Sequence, residues 1–212
     1  AEWEQGIGRV LETRGAFRGH CYVETAACWV AQARYPSSWR LVVDCAAARF
    51  SRIDLHLSDT ARAVAADYED LPALGLPQNV TVDFAATDGF ARVEVIDGAD
   101  LVLVDPPFSP HADADWRRLR EVCIYMMEKG TRFLAWYPIF SEIEPADLVA
   151  ATGLSAFEVL WAPTTLGGHQ ELAGCGILAS RECGDMLAVN TAQLERLASG
   201  LGGKFRRWAH GL

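Results

Sequence analysis

Ala99-Asp-Leu-Val-Leu-Val-Asp-Pro-Pro-Phe108 is the stretch that decides how this chain is read. After Asp100, Leu101 to Val104 is an unbroken apolar run, the pattern of a parallel strand covered on both faces. Asp105, Pro106, Pro107 and Phe108 follow it, at the carboxyl end where open α/β sheets place their ligands. A carboxylate, two rigid prolines and an aromatic ring suit a planar, hydrogen-bonding group such as an aminopurine. The same residues would also serve as a plain strand-ending turn, so the flanking sequence has to decide.

Downstream, Trp116, Leu119, Cys123, Met126 and Met127 recur at helical spacing, with Arg117, Arg118, Arg120 and Glu121 off that face. This stripe predicts core packing. Gly130 closes the helix, and Arg132 to Pro138 reads as the next buried strand. A helix over 143–152, capped by Gly153, precedes strands at 157–161 and 176–179, with Pro163 to Glu171 as a loop between them. A last helix is expected over 191–201. Upstream, Val80 to Ala85 is a strand ending in Thr87-Asp-Gly-Phe90, a tight-turn signal. Ser51 to Leu57 alternates Ile53, Leu55 and Leu57 with polar partners, placing Asp54 and His56 near a strand's end. Ser58 and Asp59 then open a helix reaching Tyr68. Three helices are expected before that, over 2–13, 22–33 and 39–49, with Tyr35-Pro-Ser-Ser38 delivering a serine cap to the third.

At 212 residues, half of them hydrophobic, the chain fits a single domain with a substantial core. Residues 1–50 read as mainly helical, 51–181 as the core sheet region and 182–212 as a C-terminal helical segment. No apolar run approaches the roughly 18 residues that cross a bilayer, and no leader is read at the start, so a cytoplasmic protein without membrane contact is expected. The six cysteines form no C-x-x-C pair, which argues for reduced thiols and no metal site. A net charge of −9 argues against a broad electrostatic nucleic-acid footprint. The basic triplets Arg117, Arg118, Arg120 and Lys204, Arg206, Arg207 read as solvated helix faces.

Strands alternating with helices predict an α/β sheet, in an order that matches the latter half of a Rossmann-like methyltransferase. Specific segments then carry a family resemblance. Tyr35-Pro-Ser-Ser38, Asp54-Leu-His56 with Ser58-Asp59, Asp88-Gly89-Phe90, Val104-Asp-Pro-Pro-Phe108, Ala135-Trp-Tyr-Pro138 and Ala173-Gly-Cys-Gly176 resemble the RlmJ family. Its members are adenine-N6 methyltransferases of large-subunit ribosomal RNA that use S-adenosylmethionine. The resemblance runs from Glu2 to about Ala179. It implies a Rossmann-like S-adenosylmethionine-dependent fold, with a mostly parallel sheet and an antiparallel last strand. It further implies that Ser38, Asp54, Asp88 and Gly89 contact the methyl donor, Asp54 through the ribose and Asp88 through the adenine. Asp105, also beside the donor, would orient or deprotonate the target amine together with the Pro106 carbonyl. Phe108 would stack on an adenine unstacked from its RNA.

Three features depart from the family pattern. The strand and glycine-rich donor loop expected before Glu2 are missing from this sequence, and Gly6-Ile-Gly8 falls in a helical pattern instead. Phe108 stands where the family usually has Tyr, which keeps stacking and loses a hydroxyl. The acidic balance is unusual for an rRNA enzyme. Two alternatives therefore stand beside rRNA methylation: a small-molecule N-methyltransferase, and a non-catalytic scaffold of the same type.

Overall fold

The structure is a computed structural model that describes residues 20–32, 34, 36–69, 75–106, 108, 113–140, 146–166, 170–200 and 202–208. The expected helix over 2–13 lies outside them, as do Pro107, His111 and His169. The described residues fall into two compact units, one within 10–93 and the other from Glu94 onward.

In the first unit, helices α1 (Cys21–Val30) and α2 (Ser38–Ala46) precede strand β1 (Ile53–Ser58), helix α3 (Arg62–Glu69) and strand β2 (Val80–Ala85). Both strands alternate, with Ile53, Leu55, Val82 and Phe84 half-buried while Asp54, His56, Thr81 and Asp83 are exposed. They pair in parallel, Asp54 opposite Thr81 and His56 opposite Asp83. Tyr68 of α3 stacks on Phe84 at 3.9 Å, which fixes the helix over the apolar face. The α1–α2 pair is held by the Trp29 indole, which donates to Asp44 at 2.8 Å while Arg40 reaches the same carboxylate at 2.9 Å. Ser58 belongs to β1 rather than opening a helix. Asp59 caps the turn behind it, accepting from the Ala61 amide at 2.7 Å.

The second unit contains α4 (Val93–Ile96), β3 (Val102–Val104), α5 (Asp113–Lys129), β4 (Phe133–Phe140), α6 (Ala146–Thr152), β5 (Ser155–Leu166), β6 (Gln170–Ala179), α7 (Arg181–Val189), α8 (Thr191–Gly200) and β7 (Lys204–Trp208), α4 starting at the boundary. The strand order is β3-β4-β6-β5-β7. Only β3 and β4 run parallel; β4–β6, β5–β6 and β5–β7 are antiparallel. This corrects the expectation of one mostly parallel Rossmann-like sheet with a single antiparallel last strand. The physical reason lies in the hairpin. Residues expected as the 163–171 loop are largely strand, so β5 and β6 are joined across 167–169 alone, a connection that only an antiparallel pair can use.

β7 corrects the helical reading of 204–208. Arg206 and Trp208 share one side of that strand and reach Glu158, while Phe205 packs against the Phe157–Ala179–Cys183 cluster with Leu187 and Leu194. Alternation of this kind is a strand's signature, hidden in the sequence by the basic residues. The expectation that β3 is covered on both faces also changes. β3 is an edge strand of the five-stranded sheet, and Leu103 and Leu101 are 48% and 53% exposed. The core lies behind it, where Leu119, Cys123 and Met126 of α5 are buried with Phe133, Ala135 and Tyr137 of β4.

Candidate functional site

Asp105 follows the last paired residue of β3, Val104, which lies opposite Ala135 of β4. Beyond Ala135, β4 pairs with β6 alone, so Pro138 sits where no ladder bond to β3 is required. The parallel pairing of β3 with β4 ends at this point, and Asp105 and Pro106 follow outside the ladder. Pro106 is buried, while Phe108 is half-buried. The Phe108 ring lies 4.9 Å from Trp116 of α5 and 6.0 Å from Trp136 of β4, at 53° and 60°. Tilted rings at such distances form a coherent aromatic wall.

Asp105 is exposed as a residue, yet enough protein surrounds its carboxyl to raise its pKa above the ordinary aspartate value by desolvation. Cys175 of β6 lies within the field of this carboxylate. Burial, with the charges of Asp105 and Glu158 after it, pushes the Cys175 thiol up to about 11, against a lowering hydrogen bond with Trp136. Cys175 is therefore a protonated, inert wall. The arrangement can orient an amine against a carboxylate while a flat ring rests on Phe108.

The first unit holds the other residues singled out from the sequence. Asp88 precedes a short 3₁₀ turn (Gly89–Ala91), and its Oδ1 accepts from the Phe90 amide at 3.0 Å. Gly89 is exposed, and a Cβ there would sit 3.5 Å from the Ser58 Cβ, an ordinary contact. Arg92 closes the turn, donating to Ser58 Oγ and to the Leu57 carbonyl at 3.4 Å and reaching Asp83 at 3.3 Å. Asp88, Gly89, Ser58 and Arg92 thus gather at the carboxyl ends of the parallel pair. Asp54 does not join them. It is the second residue of β1, about 13 Å from the strand's end at about 3.3 Å per residue. Its carboxylate pairs with Arg52 at 2.7 Å, and that hydrogen bond holds its pKa below the ordinary value. Ser38 is the exposed first residue of α2, and the capping position is Ser37, without a side-chain cap bond.

Trp116 and Glu158 carried little signal in the sequence. Trp116 belongs to a helical stripe that reads as core, yet it touches Phe108. Glu158 lies in the apolar run Phe157-Glu-Val-Leu-Trp161 and is fully buried, accepting from the Tyr137 hydroxyl and the Trp208 indole at 2.8 Å each and from Arg206. A lone acid in an apolar strand is the one cue that could have marked it. His56, placed near the strand's end from the sequence, bonds Asp83 at 3.2 Å. Among the described residues no group of three or more His, Cys, Asp or Glu could hold a metal ion, and no helix is long and apolar enough to cross a membrane.

No protein-family model matches the chain, and no curated protein matches it. Among solved structures it is similar to the crystal structure of protein LPL1258 from Legionella pneumophila str. Philadelphia 1, of the family DUF519. The two share 16% identity and a TM-score of 0.68, over 99% of this chain and 81% of that one. At that identity the likeness describes the fold alone.

Proposed function

We propose that the chain transfers a methyl group from S-adenosylmethionine to the N6 amine of an adenine in ribosomal RNA, with Asp105, Pro106 and Phe108 as the acceptor site. The observation that carries this reading is the desolvated Asp105 carboxyl just past β3, three residues before Phe108 of the Phe108–Trp116–Trp136 wall. The adenine specificity rests on the resemblance of Val104-Asp-Pro-Pro-Phe108 and Ala135-Trp-Tyr-Pro138 to the RlmJ family. In an adenine amine the nitrogen lone pair is delocalised into the ring. Hydrogen bonds from the amine to Asp105 and to the Pro106 carbonyl favour a pyramidal nitrogen. As the N–CH₃ bond forms at the expense of the donor's S–CH₃ bond, leaving a neutral thioether, the amine proton would pass to Asp105, whose raised pKa makes it the better acceptor. Phe108 holds the ring's plane, and positioning supplies much of the rate.

S-adenosylmethionine supplies, when bound, a methyl group on a positively charged sulfur. The first unit fits it in part: Asp88 and Gly89 at the strand ends would hold its adenine, whereas Asp54 lies too far along β1 to join them. The reaction belongs to the cytoplasm, where the free cysteines stay reduced. One observation favours a small-molecule amine instead: the net charge of −9, which opposes a polyanion.

Calorimetric titration of S-adenosylmethionine into the protein tests the reading. Saturable binding, weakened in Asp88→Ala, is the expected result. Absence of binding by the protein with its native N-terminus rejects both enzymatic readings and leaves the scaffold.

A further inference from the structure

We propose that Tyr137 and Glu158 are positioning residues for the acceptor site, acting through Trp116 to set the plane of the Phe108 ring. This deepens the acceptor-site reading and rests on it.

Tyr137, Gly176 and Glu158 occupy facing positions on three neighbouring strands, Gly176 of β6 lying opposite both others. A Cβ on Gly176 would fall 2.5 Å from Tyr137 Cε2 and closer still to Cζ and Oη. The glycine therefore lets the Tyr137 ring lie across β6, and its hydroxyl reaches Glu158 Oε1 on the far side. Glu158 Oε2 is claimed by Arg206 and by the Trp208 indole, so the carboxylate is fixed by three donors. Burial and the Glu158 charge push the Tyr137 phenol far above its ordinary pKa, which keeps its proton in place as the donor. The ring so fixed lies 5.9 Å from Trp116, and Trp116 lies 4.9 Å from Phe108.

A buried ion pair of this kind is seldom worth more to stability than an apolar replacement of the same shape. Its distinct contribution is geometric. It gives Tyr137 one tilt, and two tilted ring contacts carry that tilt to Phe108. Rings in contact pass such displacements from one to the next. Tyr137 and Glu158 touch neither substrate nor reacting atoms in this scheme.

The test places 4-fluorophenylalanine at position 108 of the full chain and records its fluorine NMR signal. Tyr137→Phe keeps the ring and removes the hydroxyl. The signal should shift or broaden in that variant, and Tyr137→Phe should add no further change once Trp116→Leu has removed the middle ring. An unmoved signal, or the same change in both backgrounds, overturns the proposal. A second arm measures adenosine binding. Tyr137→Phe should weaken it about three- to tenfold, the range of one misaligned aromatic contact, with no further loss in a Phe108→Leu background. Losses that add independently of Phe108 also overturn it. If the unaltered protein binds no adenosine, the acceptor reading fails, and the fluorine signal alone then decides whether the brace sets the ring.

Discussion

Gly176→Ala should be among the most damaging single-methyl changes in this protein. Alanine normally stabilises a strand position held by glycine, by about 0.5–1 kcal/mol, because glycine loses more freedom on folding. Here the sign reverses. The added Cβ would sit 2.5 Å from Tyr137 Cε2, and carbon atoms rest at about 3.5–4.0 Å, so the ring must move by at least about 1 Å. Neither the ring nor β6 yields easily, since Tyr137 is fully buried and Gly176 is paired on both sides. Overpacking of this kind costs about 1–3 kcal/mol. Moving the ring also breaks the 2.8 Å bond to Glu158, a bond to a buried charge that contributes about 1.5–3 kcal/mol. Together these predict a destabilisation of about 2.5–6 kcal/mol. Urea unfolding followed by tryptophan fluorescence, with the second unit's transition fitted separately, measures it. Gly176→Ala with Tyr137→Leu should recover part of the loss, because the smaller side chain clears the clash. A loss under about 1 kcal/mol for Gly176→Ala alone would mean that Tyr137 does not lie across β6.

Three further outcomes are expected. Asp105 carries a raised carboxyl pKa, so its charge costs stability above the folded pKa and costs nothing below the ordinary aspartate range. Asp105→Asn should therefore unfold at higher denaturant than the unaltered protein at pH 7, with the advantage narrowing towards pH 4; an advantage independent of pH contradicts the assignment. Asp83 has the opposite sign, its pKa held down by hydrogen bonds from His56 and then Arg92. The stability it contributes is present above the ordinary aspartate value and lost as pH falls through the lowered pKa, so Asp83→Asn should flatten the acid limb of the unfolding midpoint. Gly89→Ala should leave stability within about 0.5 kcal/mol, since its Cβ meets only an ordinary contact. If calorimetry shows that this variant nevertheless binds S-adenosylmethionine less tightly, a ligand approaches the backbone there; unchanged affinity removes Gly89 from the site.

β3 and α5 were legible because their signals are local. An apolar run broken by Asp105-Pro-Pro and an amphipathic helix behind it place β3 and α5 without tertiary information. Strand direction was not legible. Alternation and apolar runs look alike in parallel and antiparallel pairs, and Pro163 with Gly167-Gly168 made a long hairpin read as two short strands and a loop. β7 was missed because Lys204, Arg206 and Arg207 read as a solvated face, whereas Arg206 turns inward to a charge that only the folded sheet places there. The same limit applies to Gly174 and Gly176. They stood out as a motif, but the reason for each is a neighbour distant in sequence: the Val159 carbonyl, 2.6 Å from a Cβ at Gly174, and the Tyr137 ring at Gly176. Asp54 shows the reverse error. Alternation located the strand correctly, and the residue's place along it, four positions before the end, separated it from Asp88.

The central claim is that Asp105 serves the amine of an adenine. Transfer of isotopically labelled methyl from S-adenosylmethionine to unmodified ribosomal RNA fragments, by the full-length protein and by Asp105→Ala, tests it most directly. Label is expected at adenine N6 with the unaltered protein, and loss of transfer in the variant while calorimetric donor binding is retained. Label transferred equally by both proteins, or none transferred by the unaltered protein despite saturating donor, would contradict it.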